Sequence, residues 1–157
     1  MNEYRSRPLN FPWPPLIYAV AALLALAAHL YLPTPLSPLN GIIFRAVGGF
    51  MIALGLFFDL WALKTLHQSG TTVMPNRCAT HLVTTGPFQY TRNPVYLGYT
   101  LSLSGLGFLL GIVWLPVAAI AAATLTYFLA IRREELHLLS RFGCDFERYR
   151  RRARCWI

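Results

Sequence analysis

Four long apolar stretches leave this chain little choice of fold. They run over residues 16–32, 42–63, 95–113 and 114–131, and each is near the roughly 17–25 residues that a helix needs to cross about 30 Å of hydrocarbon. The chain is 55% hydrophobic and only 13% charged, with a mean hydropathy of +0.45. That composition is too apolar for an ordinary soluble domain and points to an integral membrane protein. The first stretch is expected to remain as a helix. The Leu32-Pro33-Thr34-Pro35 sequence after it offers no Ala-x-Ala cleavage site of the kind that ends a signal peptide.

Charge then sets the orientation. The connections over 33–41 and 111–116 carry no charge, so the four helices are expected to form two tight hairpins. Lys and Arg fall at Arg5, Arg7, Lys64, Arg77, Arg92 and from Arg132 to Arg154, with Arg45 alone on the opposite side. The positive-inside rule places both termini and the central loop in the cytosol, and a bacterial inner membrane suits this plan. A net charge of +8 fits contact with anionic lipid better than contact with nucleic acid. The chain reads as one domain over 1–157, an N-terminal helical hairpin over 1–63 followed by a functional half over 64–157.

Small residues recur along the third stretch at Gly98, Ser102 and Gly105, and again at Gly107 and Gly111, which predicts close helix packing in lipid. After Ile131 the fourth helix is expected to run on out of the membrane. Leu139, Phe142, Phe146 and Tyr149 form a helical stripe, broken or bent at Gly143. Arg141, Arg148 and Arg151 lie on the other face, so this tail reads as an amphipathic segment at the membrane surface.

The residues that could carry chemistry gather in a polar, Gly/Pro-punctuated loop and just past the fourth stretch. Gly86-Pro87 marks a tight turn. Asn93-Pro94 is a helix start, with Asn93 at the cap and Pro94 in the first turn. The positive end of that helix dipole, beside Arg92, would suit a carboxylate or phosphate, and Tyr90 and Tyr96 could stack on a ring or meet a cation. His81 could donate a hydrogen bond. Glu134 and Glu135 sit next to Arg132 and Arg133. They are either a solvated helix end or carboxylates for a cationic ligand group. Their 100° separation on a helix puts Glu135 on the inward stripe with Leu138, Leu139 and Phe142, and Glu134 in water or paired with an arginine. Asp59, inside the second stretch, is either functional or neutralised by Lys64 or an arginine nearby. The cysteines Cys78, Cys144 and Cys155 fit no metal spacing and read as reduced thiols. No His-x-x-His or His-x-x-x-His pair is present, so no metal is expected.

The segment Leu82-Val83-Thr84-Thr85-Gly86-Pro87-Phe88-Gln89-Tyr90-Thr91-Arg92-Asn93-Pro94-Val95-Tyr96-Leu97-Gly98 resembles the isoprenylcysteine carboxyl methyltransferase and phospholipid methyltransferase superfamily. So does the later block of Glu134-Glu135, Leu138, Arg141-Phe142-Gly143, Tyr149 and the basic run to Trp156. The resemblance covers about residues 60–157. It implies S-adenosyl-L-methionine as methyl donor. His81, Leu82 and Val83 would cover the donor, Gly86 would turn the loop, and Tyr90, Arg92, Asn93, Pro94 and Tyr96 would line it. Glu134 and Glu135 would meet its amino group or orient the acceptor, with Glu135, Glu134 and Arg92 as the catalytic set. Asn93 stands where the eukaryotic prenylcysteine enzymes have His, and Phe88 where Tyr is common. A lipophilic small-molecule acceptor taken from the bilayer follows better than a prenylated protein. Two other readings compete: an NADPH-dependent reductase of membrane lipids, and a non-catalytic membrane adaptor that uses the basic tail.

Overall fold

The computed structural model describes residues 13–32, 41–70 and 81–156, and among these every regular element is helical. Helix α1 spans Trp13–Tyr31, α2 Ile42–Gln68, α3 Pro94–Leu110 and α4 Trp114–Thr126. A π-helical turn, Tyr127–Ile131, joins α4 to α5 at Arg132–Phe142, and α6 follows at Cys144–Arg152. The α4–α5 rod runs unbroken over Trp114–Phe142, which carries the fourth apolar stretch past Ile131 as its sequence implies. Gly143 ends it at φ +51° and opens α6, where a residue with a Cβ would be strained.

This is an all-helical membrane protein. Among the described residues three helices are long and apolar enough to cross a bilayer: Pro14–Tyr31, Ile42–Gln68 and Trp114–Phe142. The third apolar stretch makes a shorter helix than its sequence suggests. Gly111 adopts φ +71° and caps α3 after 17 residues, so this helix starts at Pro94 and stops three residues short of Val113.

Of the two expected hairpins, α3 and α4 pair, and α1 and α2 do not pack along each other. Helix α2 packs on α3, α3 on α4, and α4 on α1, so α1 and α2 lie at opposite edges of the layer. The connection 33–40 between them lies outside the described residues. Two seams explain the order. Ala22 and Ala25 of α1 meet Leu115, Ala118 and Ile112 in a shared cluster. The hydroxyl of Tyr18 lies 2.6 Å from Thr100 Oγ1 and donates to the Tyr96 carbonyl at 3.4 Å, tying α1 to α3 as well.

The α2–α3 seam is built from glycine. A Cβ placed on Gly48 would lie 2.6 Å from the Gly105 carbonyl oxygen, and one on Gly105 2.6 Å from that of Gly48. Gly55 and Gly98 repeat the arrangement one step along, at 2.7 and 2.8 Å. Only bare backbones fit at such distances, the close approach that small residues permit in lipid. Each glycine of this second pair also carries a polar side chain from the facing helix: Ser102 presses on Gly55, and Asp59 on Gly98. Ser102 Oγ and Asp59 Oδ1 are buried there without a conventional hydrogen-bond partner among the described residues. Lys64 does not neutralise Asp59. Among the described residues the ion pairs are Arg92–Glu135 and Arg148–Asp145.

Candidate functional site

The loop after residue 80 is anchored at the end of α2. Gly86, at φ +62°, presses against Thr65 and Trp61, and a 3-10 turn follows over Gly86–Gln89. Pro87 is buried beneath it. Tyr90 is exposed and leans on Trp61, ring centroids 6.4 Å apart.

From there the loop meets the C-terminal tail. The apolar stripe of α5 and α6 is covered by the chain's own loop. Phe146 and Tyr149 are buried with Ala153 and pack against Leu82, Phe88, Leu138, Leu139 and Phe142. The Tyr149 hydroxyl donates to the Phe88 carbonyl at 2.8 Å, and burial pushes its pKa up, so it remains a donor. The loop thus supplies the apolar partner that the tail's sequence appeared to seek in lipid.

Arg92 is at the junction. Its Nε and Nη2 both donate to Glu135 Oε1, at 2.9 and 2.7 Å. Its Nη1 donates to the Ala153 and Arg150 carbonyls at 2.5 and 3.2 Å. Its backbone N–H reaches the Arg154 carbonyl at 2.9 Å. Asn93 occupies the cap position of α3 without capping it by its side chain. Its amide donates instead to the Cys155 carbonyl at 2.9 Å and lies 3.5 Å from Cys155 Sγ. Thr91 Oγ1 donates to the same carbonyl at 3.3 Å.

The two glutamates diverge. Glu135 is paired with Arg92, the two side chains being 20% and 11% exposed. Glu134 was expected in solvent or beside Arg132 or Arg133, and the structure corrects this: its Oε1 accepts the Tyr96 hydroxyl at 2.7 Å, and both arginines are exposed. The reason is geometric. Glu135 meets Arg92 just before the start of α3 and Glu134 meets Tyr96 in its first turn, so side chains 100° apart both find an inward neighbour.

These groups surround a cavity of about 120 Å³. His81, Leu82, Val83, Arg92, Asn93, Glu134 and Glu135 line it, together with Leu66, Phe88, Leu138, Phe146 and Tyr149. Gly86, Tyr90, Pro94 and Tyr96 do not line it. Gly86 and Pro94 shape the backbone around it, and Tyr96 acts on it through Glu134. Tyr149 and Phe146 were visible in the sequence as an apolar stripe, but their partner was not. Leu66, at the end of α2, carried no sequence signal.

A model of the phospholipid methyltransferase family matches residues 43–145. The chain belongs to this family. The match takes in α2, the loop, the cavity's two glutamates and α5. The chain is also 40% identical over 109 residues to the nickel-cobalt-cadmium resistance protein NccN of Alcaligenes xylosoxydans xylosoxydans, an overlap of 60% of this chain and 51% of that protein. The chain therefore spans about half the length of that relative. No solved structure matches it. Among the described residues no group of three His, Cys, Asp or Glu side chains is placed to hold a metal ion.

A methyl donor bearing an amino acid and a flat base can be tested against these walls. The carboxylates of Glu134 and Glu135 suit an ammonium and a sulfonium. Phe88, Phe146 and Tyr149 offer ring surfaces. Arg92 has five N–H donors and spends four on the protein, which leaves one for a carboxylate. The chemistry fits.

Proposed function

We propose that this chain transfers a methyl group from S-adenosyl-L-methionine to a lipophilic acceptor drawn from the bilayer, a carboxylate, thiol or amine. The observation that carries the proposal is the meeting of Glu134, Glu135 and Arg92 in one apolar-walled cavity beside the loop and the tail. In this reading all four helices cross a bacterial inner membrane, with both termini and the cavity on the cytosolic side. Helix α3 is short, but it packs along α2 from Gly98 to Gly105 and so shares the same slab.

The donor brings an activated methyl on a sulfonium. The protein's part is to hold and orient. Glu135, with one oxygen occupied by Arg92, turns the other toward the donor's ammonium. The remaining Arg92 N–H takes the donor's carboxylate, with His81 at the rim. Leu82 and Val83 cover the cavity and exclude water. Glu134 has no cation beside it among the described residues, so it is the group available to accept a proton from a thiol or amine acceptor. A carboxylate acceptor needs no base. Fixing two reactants in line supplies much of the rate.

The test is thermal stabilisation in detergent. A ligand at 100 times its Kd adds roughly 2.7 kcal/mol. S-adenosylhomocysteine should stabilise the protein and NADPH should not, and labelled methyl should pass into a membrane lipid extract. Stabilisation by NADPH alone would select the reductase reading. Stabilisation by neither, with no transfer, would leave the adaptor.

A further inference from the structure

Many polar contacts of loop residues 91–93 do not point at the cavity. They point at the chain's own tail. Residues 150–155 present backbone carbonyls, and three consecutive loop residues take them up. Thr91 and Asn93 donate to Cys155, and Arg92 donates to Arg150, Ala153 and Arg154. A single parallel bridge, Thr91 with Arg154, fixes the register. Ala153 is buried under the contact.

Arg92 then transmits the register of the tail. Its Nη1 is held by the tail, and its Nε and Nη2 grip one oxygen of Glu135. A guanidinium is planar, so two carbonyls on one edge determine where the opposite edge lies. Without them, Arg92 is a long side chain free to swing, and Glu135 loses the partner that fixes which of its oxygens faces the cavity.

We propose that residues 150–155 form a strap that positions Glu135 for the methyl donor through Arg92. The tail is a positioning element of the donor site, although it touches neither donor nor acceptor. This rests on the donor reading above. Linkage adds a consequence: if the docked strap favours the donor, the donor must favour the docked strap by the same factor.

The experiment uses binding and alkylation. A chain ending after Arg152 lacks the Ala153, Arg154 and Cys155 carbonyls. It should bind S-adenosylhomocysteine at least tenfold more weakly by calorimetry. Arg92→Ala should weaken binding similarly, and the double variant should be no weaker than the worse single one, because both remove one pathway. Fully additive losses would overturn the proposal, as would full affinity in the shortened chain. The intact protein gives a second measurement in case the shortened chain fails to fold. With Cys78 and Cys144 changed to Ser, N-ethylmaleimide should label half-buried Cys155 several-fold more slowly when S-adenosylhomocysteine is present. Burial raises the Cys155 pKa, so the rate is followed at mildly alkaline pH. An unchanged rate at a saturating ligand concentration would overturn the proposal. A full-length protein that binds no S-adenosylhomocysteine overturns the donor reading itself, a different failure from a bound ligand that ignores the strap.

Discussion

The helical layer and the loop-and-tail region are held together by opposite means. In the layer, α2 and α3 meet through glycines whose backbones touch, and α1 and α4 meet through alanines. Specificity there comes from what side chains are absent. In the loop-and-tail region, specificity comes from directed bonds: Arg92 to Glu135, Tyr96 to Glu134, Tyr149 to Phe88, and loop donors to tail carbonyls. The difference follows from solvent. Lipid offers no hydrophobic gain for helix association, so close packing must suffice. In the loop-and-tail region, water competes for every polar group, and a buried network holds only where its members are satisfied.

The comparison breaks first at the glycine seam. Gly98→Val should be the most damaging substitution. Its side chain would meet the Gly55 carbonyl and Asp59, and overpacking against backbone costs at least the roughly 1–3 kcal/mol of ordinary cores. Thermal unfolding in detergent should show loss of the whole cooperative transition. Gly49→Ala, with nothing within 4 Å, should leave that transition unchanged. Equal behaviour of the two would refute the seam.

Next, Arg92→Ala should damage only the other region. It leaves Glu135 without its cation, and breaking a buried pair costs up to about 3–5 kcal/mol, less where the pair is partly solvated as here. Limited proteolysis should release the tail while the membrane helices stay protected. Release of both together would show that the two regions are one cooperative unit.

A third change separates fold from chemistry. Glu134→Gln still accepts the Tyr96 hydroxyl, so the melting temperature should shift little. Methyl transfer should fall by at least about tenfold, or about 1.4 kcal/mol in the barrier. Glu135→Gln should lower both activity and stability, because Arg92 loses its counter-charge. The smallest effect belongs to Tyr149→Phe. It removes one hydrogen bond of 2.8 Å worth about 1 kcal/mol, visible as a modest fall in the melting temperature with the ring packing retained.

The same division governs what the sequence revealed. Apolar length disclosed α1, α2 and the α4–α5 rod, and small-residue spacing disclosed the α3 seam face. Which helix lies beside which was not legible, because Gly48 and Gly55 acquire meaning only with Gly98 and Gly105 opposite. The family resemblance disclosed the cavity residues Leu82 and Val83, and residue type disclosed five more, His81, Arg92, Asn93 and both glutamates. It misjudged Glu134, because helical phase says which way a side chain points but not how many neighbours wait on that side. It was blind to the tail's grip on the loop, since a backbone carbonyl is the same at every position.

That last anonymity has an evolutionary side. Buried Ala153 apart, a latch made of carbonyls places little demand on which amino acids spell residues 150–155, yet it fixes their count. Substitutions can accumulate there at little cost. A single inserted or deleted residue between Tyr149, anchored on Phe88, and Cys155 would present every acceptor out of step. Relatives that share this latch should therefore differ freely in the lettering of the tail and hardly at all in its length.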